Sequence, residues 1–232
     1  MGTFSQFANA MDWAGLGELI LRIAAILLCL VVHEVCHGLA AYRLGDPTAK
    51  MSHRLSLNPI HHLDVFGLIM MVVAGFGWAK PVPVDARYFK DPKRGMAITA
   101  LAGPASNFVL AYLAAILLSG YSAVLTMRGE SAVSEGVTLF LSLLILLNIG
   151  LGIFNLIPFP PLDGSKVVAM FLPDRAYYRW MYLERYGMFL LMAVLWFGWL
   201  DRFLYAARSI VLDWMLSASE FAYYGVLHLL GG

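Results

Sequence analysis

The chain is short of charge. Asp, Glu, Lys and Arg make up 13% of its 232 residues, where a soluble domain carries about 25%. Hydrophobic residues reach 60%. The shortfall is concentrated in long runs. Residues 96–127 and 136–162 contain no charged side chain, and in residues 23–42 Glu34 is the only formal charge. Each run reaches or exceeds the roughly 20 apolar residues that a helix needs to cross a hydrocarbon core. Three such runs argue against a soluble protein and for a polytopic membrane protein in a lipid bilayer.

Cysteine is scarce as well. Cys29 and Cys36 are the only two, and on one helix they sit about 10 Å apart along the axis. That separation excludes a disulfide between them. Lys and Arg are missing from the first 21 residues, so the opening "MGTFSQFANAMDWAGLGE" lacks the cationic start of a cleavable signal peptide. A short amphipathic segment at the outer surface is expected there. A basic excess is also missing. The net charge of +1 offers no face for nucleic acid. Repeats, low-complexity tracts and any sizeable soluble domain are absent.

Where positive charge occurs, it is one-sided. Eight Lys and Arg residues lie between Arg43 and Arg94, and four more between Lys166 and Arg185. The link over 120–136 holds only Arg128. By the positive-inside rule, the segments after the first and third spans face the cytoplasm, with the N-terminus outside. The expected architecture is an all-α integral-membrane domain over 1–232. Its three-span core covers about 16–172, with spans at 16–44, 95–119 and 135–157. One or two C-terminal membrane helices follow over about 177–230. Between spans one and two, residues 68–74 are too short to cross, and Gly75, Gly77, Pro81 and Pro83 forbid a regular helix. A short re-entrant, β-hairpin-like element over a polar cleft is expected there.

The apolar runs carry a few polar side chains. In "VVHEVCHG", His33 and His37 are four apart, so on a helix they share one face about 6 Å apart along the axis. Two imidazoles at that spacing suit one zinc ion, and Glu34 stands beside them as a general base that is not itself a ligand. Ionisable groups within a span point to function by default. The plainer alternative is a histidine pair hydrogen-bonded to neighbouring helices, with Glu34 protonated. A catalytic zinc also needs a third protein ligand and an open position. Asp163, in the turn "PFPPLDG" after the third span, lies at the same cytoplasmic-side depth. Spacing alone leaves open whether Asp163 is that ligand or the N-cap of a short helix over 165–172.

"HEVCHG" in one span, "LAGPASN" in the next and "NLIPFPPLDG" after a third resemble the site-2 protease family of intramembrane zinc metalloproteases. The connecting "RLSLNPIHHLDVFG", "GWAKPVPVD" and "FKDPKRGM" are similar to its compact bacterial and archaeal branch. The resemblance covers about residues 30–172. It implies His33, His37 and Asp163 as ligands of one Zn2+, Glu34 as catalytic base, and a transmembrane protein as the substrate, cleaved within or beside its span. No insertion between the motifs has the size of a PDZ domain, and the mostly apolar 69 residues after Asp163 are not expected to form the nucleotide-binding domain of other relatives. Cys36 as a fourth ligand would close the site, so a small packing residue is expected there.

Asn107 and Asn155 are candidate substrate-binding residues. By resemblance, Asn155 holds the substrate strand-like, and for each the alternative is an interhelical hydrogen bond. Gly103 and Pro104 are expected to let span two approach its neighbours. His53, His61, His62 and Asp64 could form a second metal site, but they lack regular ligand spacing, and solvated or loop-packing roles are expected for them. Segment 75–84 is a candidate to add a strand to an extended substrate. The rival readings are a membrane zinc transporter and a non-catalytic metal-binding scaffold. A transporter would place acids or histidines on several spans near mid-membrane, and spans two and three have none at that depth. A scaffold would not need the base together with all three ligands.

Overall fold

The computed structural model describes residues 13–62, 64, 80–129 and 131–231. Among these residues the chain is helical and has no strand. The first span is α1, Trp13–Arg43. It stops where Gly45 takes a positive φ of 107° and Pro47 denies the helix a further donor. A single turn, α2 (Thr48–Met51), follows. The second span, α3, runs Pro92–Arg128. Asp91 caps it by accepting from the Arg94 N–H, and Pro92 fills the first position, where a missing N–H is harmless.

The third span is α4, Ala132–Leu156. Ser131 and Ser134 satisfy each other's backbone N–H groups at its start. The prolines at 158, 160 and 161 end it. Three more helices complete the chain: α5 (Asp163–Ala169), α6 (Asp174–Trp196) and α7 (Asp201–Leu230).

The helix of span two is longer than the expected 95–119, running through Gly120 to Arg128. A glycine inside a helix costs only about 1 kcal/mol, and here it faces α7, where an added Cβ would lie 3.4 Å from Val226. The β-hairpin-like element falls mostly outside the described residues. Its described part, 80–84, forms no strand.

Helix α3 is the hub, packing on α1, α4, α5 and α7. Its inner face is small: Ala111, Ala114 and Ala115 meet Ala25 and Cys29 of α1, Leu144, Ile145, Ile149 and Ile153 of α4, and Met215 of α7. Small side chains let helix backbones approach closely where no hydrophobic effect drives association. The outer faces carry exposed Leu19, Ile20, Val109, Leu113 and Leu117, as expected of lipid-facing surface. Three helices, α1, α3 and α4, are long and apolar enough to cross a membrane, or up to four elements if α6 and α7, bent by 85°, form one span. The chain is a multi-pass membrane protein.

Candidate metal centre and its cleft

His33 and His37 lie ten and six residues before Arg43, about 15 and 9 Å of helix rise. Their face of α1 meets α3 at Gly103. A Cβ built there would sit 2.6 Å from His33 Cε1 and 2.5 Å from His37 Cε1, and closer still to His37 Nε2. Only glycine fits between the rings and the helix. The next residue, Pro104, deprives the Ala100 carbonyl of its helical donor and loosens that turn. The adjacent Thr99 carbonyl accepts a hydrogen bond from His37 Nδ1 at 2.7 Å.

His33 Nδ1 is held from the same helix, 2.6 Å from Asn107 Oδ1. Both Nδ1 atoms therefore carry the ring proton, and both Nε2 atoms present lone pairs. Those lone pairs face each other at 2.9 Å. Asp163 Oδ2 completes a triangle, 3.2 Å from each Nε2. This oxygen is buried and receives no hydrogen bond.

Three acceptors turned on one another repel unless a cation lies among them. Tetrahedral zinc with bonds of about 2.0–2.1 Å sets its ligand atoms roughly 3.3 Å apart, so the observed triangle needs to widen by only a few tenths of an ångström at one edge. The donor set fits zinc. Asp163 would bring a negative charge to a divalent cation at the third corner.

Asp163 reaches the histidines because α4 ends in a tight turn. It is the first residue of α5, Leu162 precedes it as N-cap, and no side chain caps the helix. The N-cap alternative is therefore not adopted. Gly164 packs directly on the last carbonyls of α4, where a Cβ would clash with Leu156 and Ile157.

The triangle opens into a cleft of about 550 Å³ lined by Glu34, Asn155, Thr99, Val82 and Lys166, among others. Glu34 Oε2 accepts from the Val82 N–H at 2.8 Å. The segment carrying Val82 is tied down along its length. Lys80 N–H donates to His62 O at 2.9 Å, and Arg54 Nη2 donates to Lys80 O and Pro81 O at 3.3 and 3.1 Å. Asp46, fully buried, accepts from the Asp85 N–H at 2.8 Å. Met181, Glu184 and Met188 of α6 also line the cleft. Helix α6 is held over the cleft by Lys166–Glu184 at 3.0 Å, Lys93–Asp174 at 2.6 Å and Trp180 Nε1 donating to Ser165 O at 3.1 Å.

The structure therefore brings His33, His37 and Asp163 into one group with Glu34 beside them. Asn155 also lines the cleft; its amide nitrogen donates to Leu151 O at 3.0 Å. Asn107 does not reach the cleft. It is 0% exposed, with its oxygen on His33 and its nitrogen on Asn148. Among the described residues, no other group of His, Cys, Asp and Glu side chains gathers at metal-binding distance. His62 instead bonds the Ser56 carbonyl, and Cys36 is not among the grouped residues. Sequence reasoning missed Lys166, Glu184 and Asn148. Of these, Asn148 carried a signal, an amide inside an otherwise apolar span.

A helical membrane bundle with a largely buried His-His-Asp cluster and a glutamate in the same cleft defines a class of intramembrane metal-site protein. The family model of peptidase family M50 matches residues 21–195, and the chain belongs to that family. The resemblance to site-2 proteases read from the motifs is borne out. The chain is 42% identical over 165 residues to YwhC of Bacillus subtilis, a protein named as a zinc metalloprotease, covering 71% of this chain and 75% of that one. It is 33% identical over 156 residues to Rip2 of Mycolicibacterium smegmatis, which carries the same description. That match covers 64% of this chain and 56% of Rip2, so the chain spans about half of that relative's length. Rip2 of Mycobacterium tuberculosis is 31% identical over 154 residues, with the same coverage. No solved structure gives a match.

Proposed function

We propose that the chain is an intramembrane zinc metalloendopeptidase that hydrolyses peptide bonds within or beside transmembrane segments of other membrane proteins. One observation carries this reading. Two histidine lone pairs and a carboxylate oxygen converge within 3.2 Å, each ring is oriented from behind, and Glu34 stands in the same cleft. Membership of a peptidase family supports it. A transporter reading gains nothing from the structure, because no second metal group is found among the described residues.

Zinc held by His33, His37 and Asp163 supplies a Lewis acid that polarises the scissile carbonyl and lowers the pKa of water. The other roles belong to this chain. Glu34 uses Oε2 to hold Val82, which leaves Oε1 to take the proton of the attacking water and deliver it to the leaving amine. Asn155 spends one amide hydrogen on Leu151, and its free oxygen accepts from a substrate backbone N–H. Segment 80–84, pinned by Arg54, Asp46 and Glu34, offers a rigid wall along which an unwound substrate lies extended. Replacing 75–84 by a flexible linker should then abolish cleavage. The charge pattern supports an orientation with the cleft near the cytoplasmic face and the N-terminus outside, and residues 1–232 act as one membrane domain.

The test uses purified protein and a single-span substrate, comparing wild type with Glu34→Gln. Loss of product with zinc retained is expected. Product at the wild-type rate from the variant would refute this mechanism, and bound zinc without product from either would favour a scaffold or a transporter.

A further inference from the structure

Asn148 has no place in the chemistry above, yet it is 0% exposed in the middle of a span. Its contacts are directional. The Leu144 carbonyl can only accept, so the Asn148 atom 2.8 Å from it is the amide nitrogen. The same nitrogen donates to Cys29 Sγ at 2.8 Å. Asn148 Oδ1 is thereby turned toward α3, where it accepts from Asn107 Nδ2 at 2.7 Å. With its nitrogen spoken for, Asn107 offers its oxygen to His33 Nδ1 at 2.6 Å. The other candidate for orienting Asn107 is the Cys29 carbonyl. It lies 3.4 Å from Asn107 Nδ2, beyond the usual range of about 2.7–3.2 Å, so the Asn148 contact dominates.

A flipped Asn107 would present two N–H groups to His33. The ring would then turn its bare nitrogen to Asn107 and carry its proton on Nε2, where a ligand needs a lone pair. We propose that Asn148 is a positioning residue for the metal centre: through Asn107 it fixes the tautomer of His33 without touching metal or substrate. The inference rests on the zinc reading of the site. The relay also joins the three spans at one level, with Cys29 on α1, Asn107 on α3 and Asn148 on α4.

The test measures zinc affinity of the purified full chain by chelator competition, with the visible absorption of the cobalt(II) form as a report on ligand geometry. Asn148→Leu and Asn107→Leu are each expected to weaken zinc about 10-fold to 100-fold, as losses behind a ligating histidine do. The double variant should bind no more weakly than Asn107→Leu alone. Affinity unchanged in Asn148→Leu, or losses that add in the double variant, would overturn the relay. Asn148→Asp, as the neutral acid that burial inside a span favours, keeps the accepting oxygen and one O–H donor for the Leu144 carbonyl. It should retain wild-type affinity and the cobalt spectrum even where thermal stability falls, and a loss matching Asn148→Leu would also overturn the proposal. A wild-type chain that binds no zinc would instead refute the metalloprotease reading itself.

Discussion

Gly103→Ala separates the folding of the helix from the assembly of the site. In an open helical position, glycine to alanine gains about 1 kcal/mol of helix stability. At 103 the new Cβ meets the two imidazoles, with His37 Cε1 at 2.5 Å and His33 Cε1 at 2.6 Å. Carbon atoms in contact settle at about 3.5 Å or more, so each ring must retreat by about 1 Å. Zinc ligation tolerates roughly 0.2 Å of error in ligand distance. The rings cannot retreat freely, because their Nδ1 atoms are anchored to Asn107 and Thr99. Overpacking of this kind costs about 1–3 kcal/mol, partly offset by the helix gain.

The expected result is therefore a folded protein with little loss of thermal stability, no stoichiometric zinc and no cleavage. Zinc content by elemental analysis, unfolding midpoint and cleavage of a single-span substrate are measured together. Gly150→Ala, where nothing lies within 4 Å of the added Cβ, serves as control and should keep one zinc and wild-type cleavage, with an unfolding midpoint equal to or slightly above that of wild type. A Gly103→Ala protein that keeps one zinc and cleaves normally would refute the packing argument.

Other expectations follow from the same geometry. Asp163→Asn keeps the shape of the third ligand and removes its charge, and zinc affinity should fall by more than the roughly 100-fold upper range of outer-shell losses, read by chelator competition. Asp46→Ala removes the acceptor that ties Asp85 to the end of α1. A hydrogen bond to a charged group contributes about 1.5–3 kcal/mol, so the unfolding midpoint should drop and KM should rise as segment 80–85 loosens. Lys166→Ala breaks the bridge to Glu184 between α5 and α6, and should change KM and kcat while leaving zinc content at one per chain.

Much was legible in the sequence because the membrane simplifies the code. Long uncharged runs mark α1, α3 and α4, since a bilayer core admits little else. His33, Glu34 and His37 were legible as a unit because a helix converts four-residue spacing into one face, a purely local relation. The order of the motifs then identified the family and with it the zinc. By itself the sequence left Asp163 open between helix cap and ligand, for 126 residues separate it from His37 and no local rule spans that gap. The tertiary structure sets Asp163 Oδ2 3.2 Å from both Nε2 atoms, by ending α4 in a turn that packs Gly164 onto the α4 carbonyls.

The same holds for the residues behind the histidines. Asn107 looked like a substrate contact and is instead the partner of His33, and Asn148 was not singled out at all. A side-chain amide in an apolar run announces only that a hydrogen bond is needed. Which group answers, and in which direction the donors point, depends on how three helices pack. That packing is set by Ala111, Ala114, Ala115 and Gly103, whose small size lets the α3 backbone come close. Sequence alone determined that two histidines would share one face of a span, because helix periodicity and hydropathy are local. Only the tertiary structure brought Asp163 to that pair, anchored the two Nδ1 atoms and built the walls of the cleft, because each of these is a contact between residues far apart in the chain.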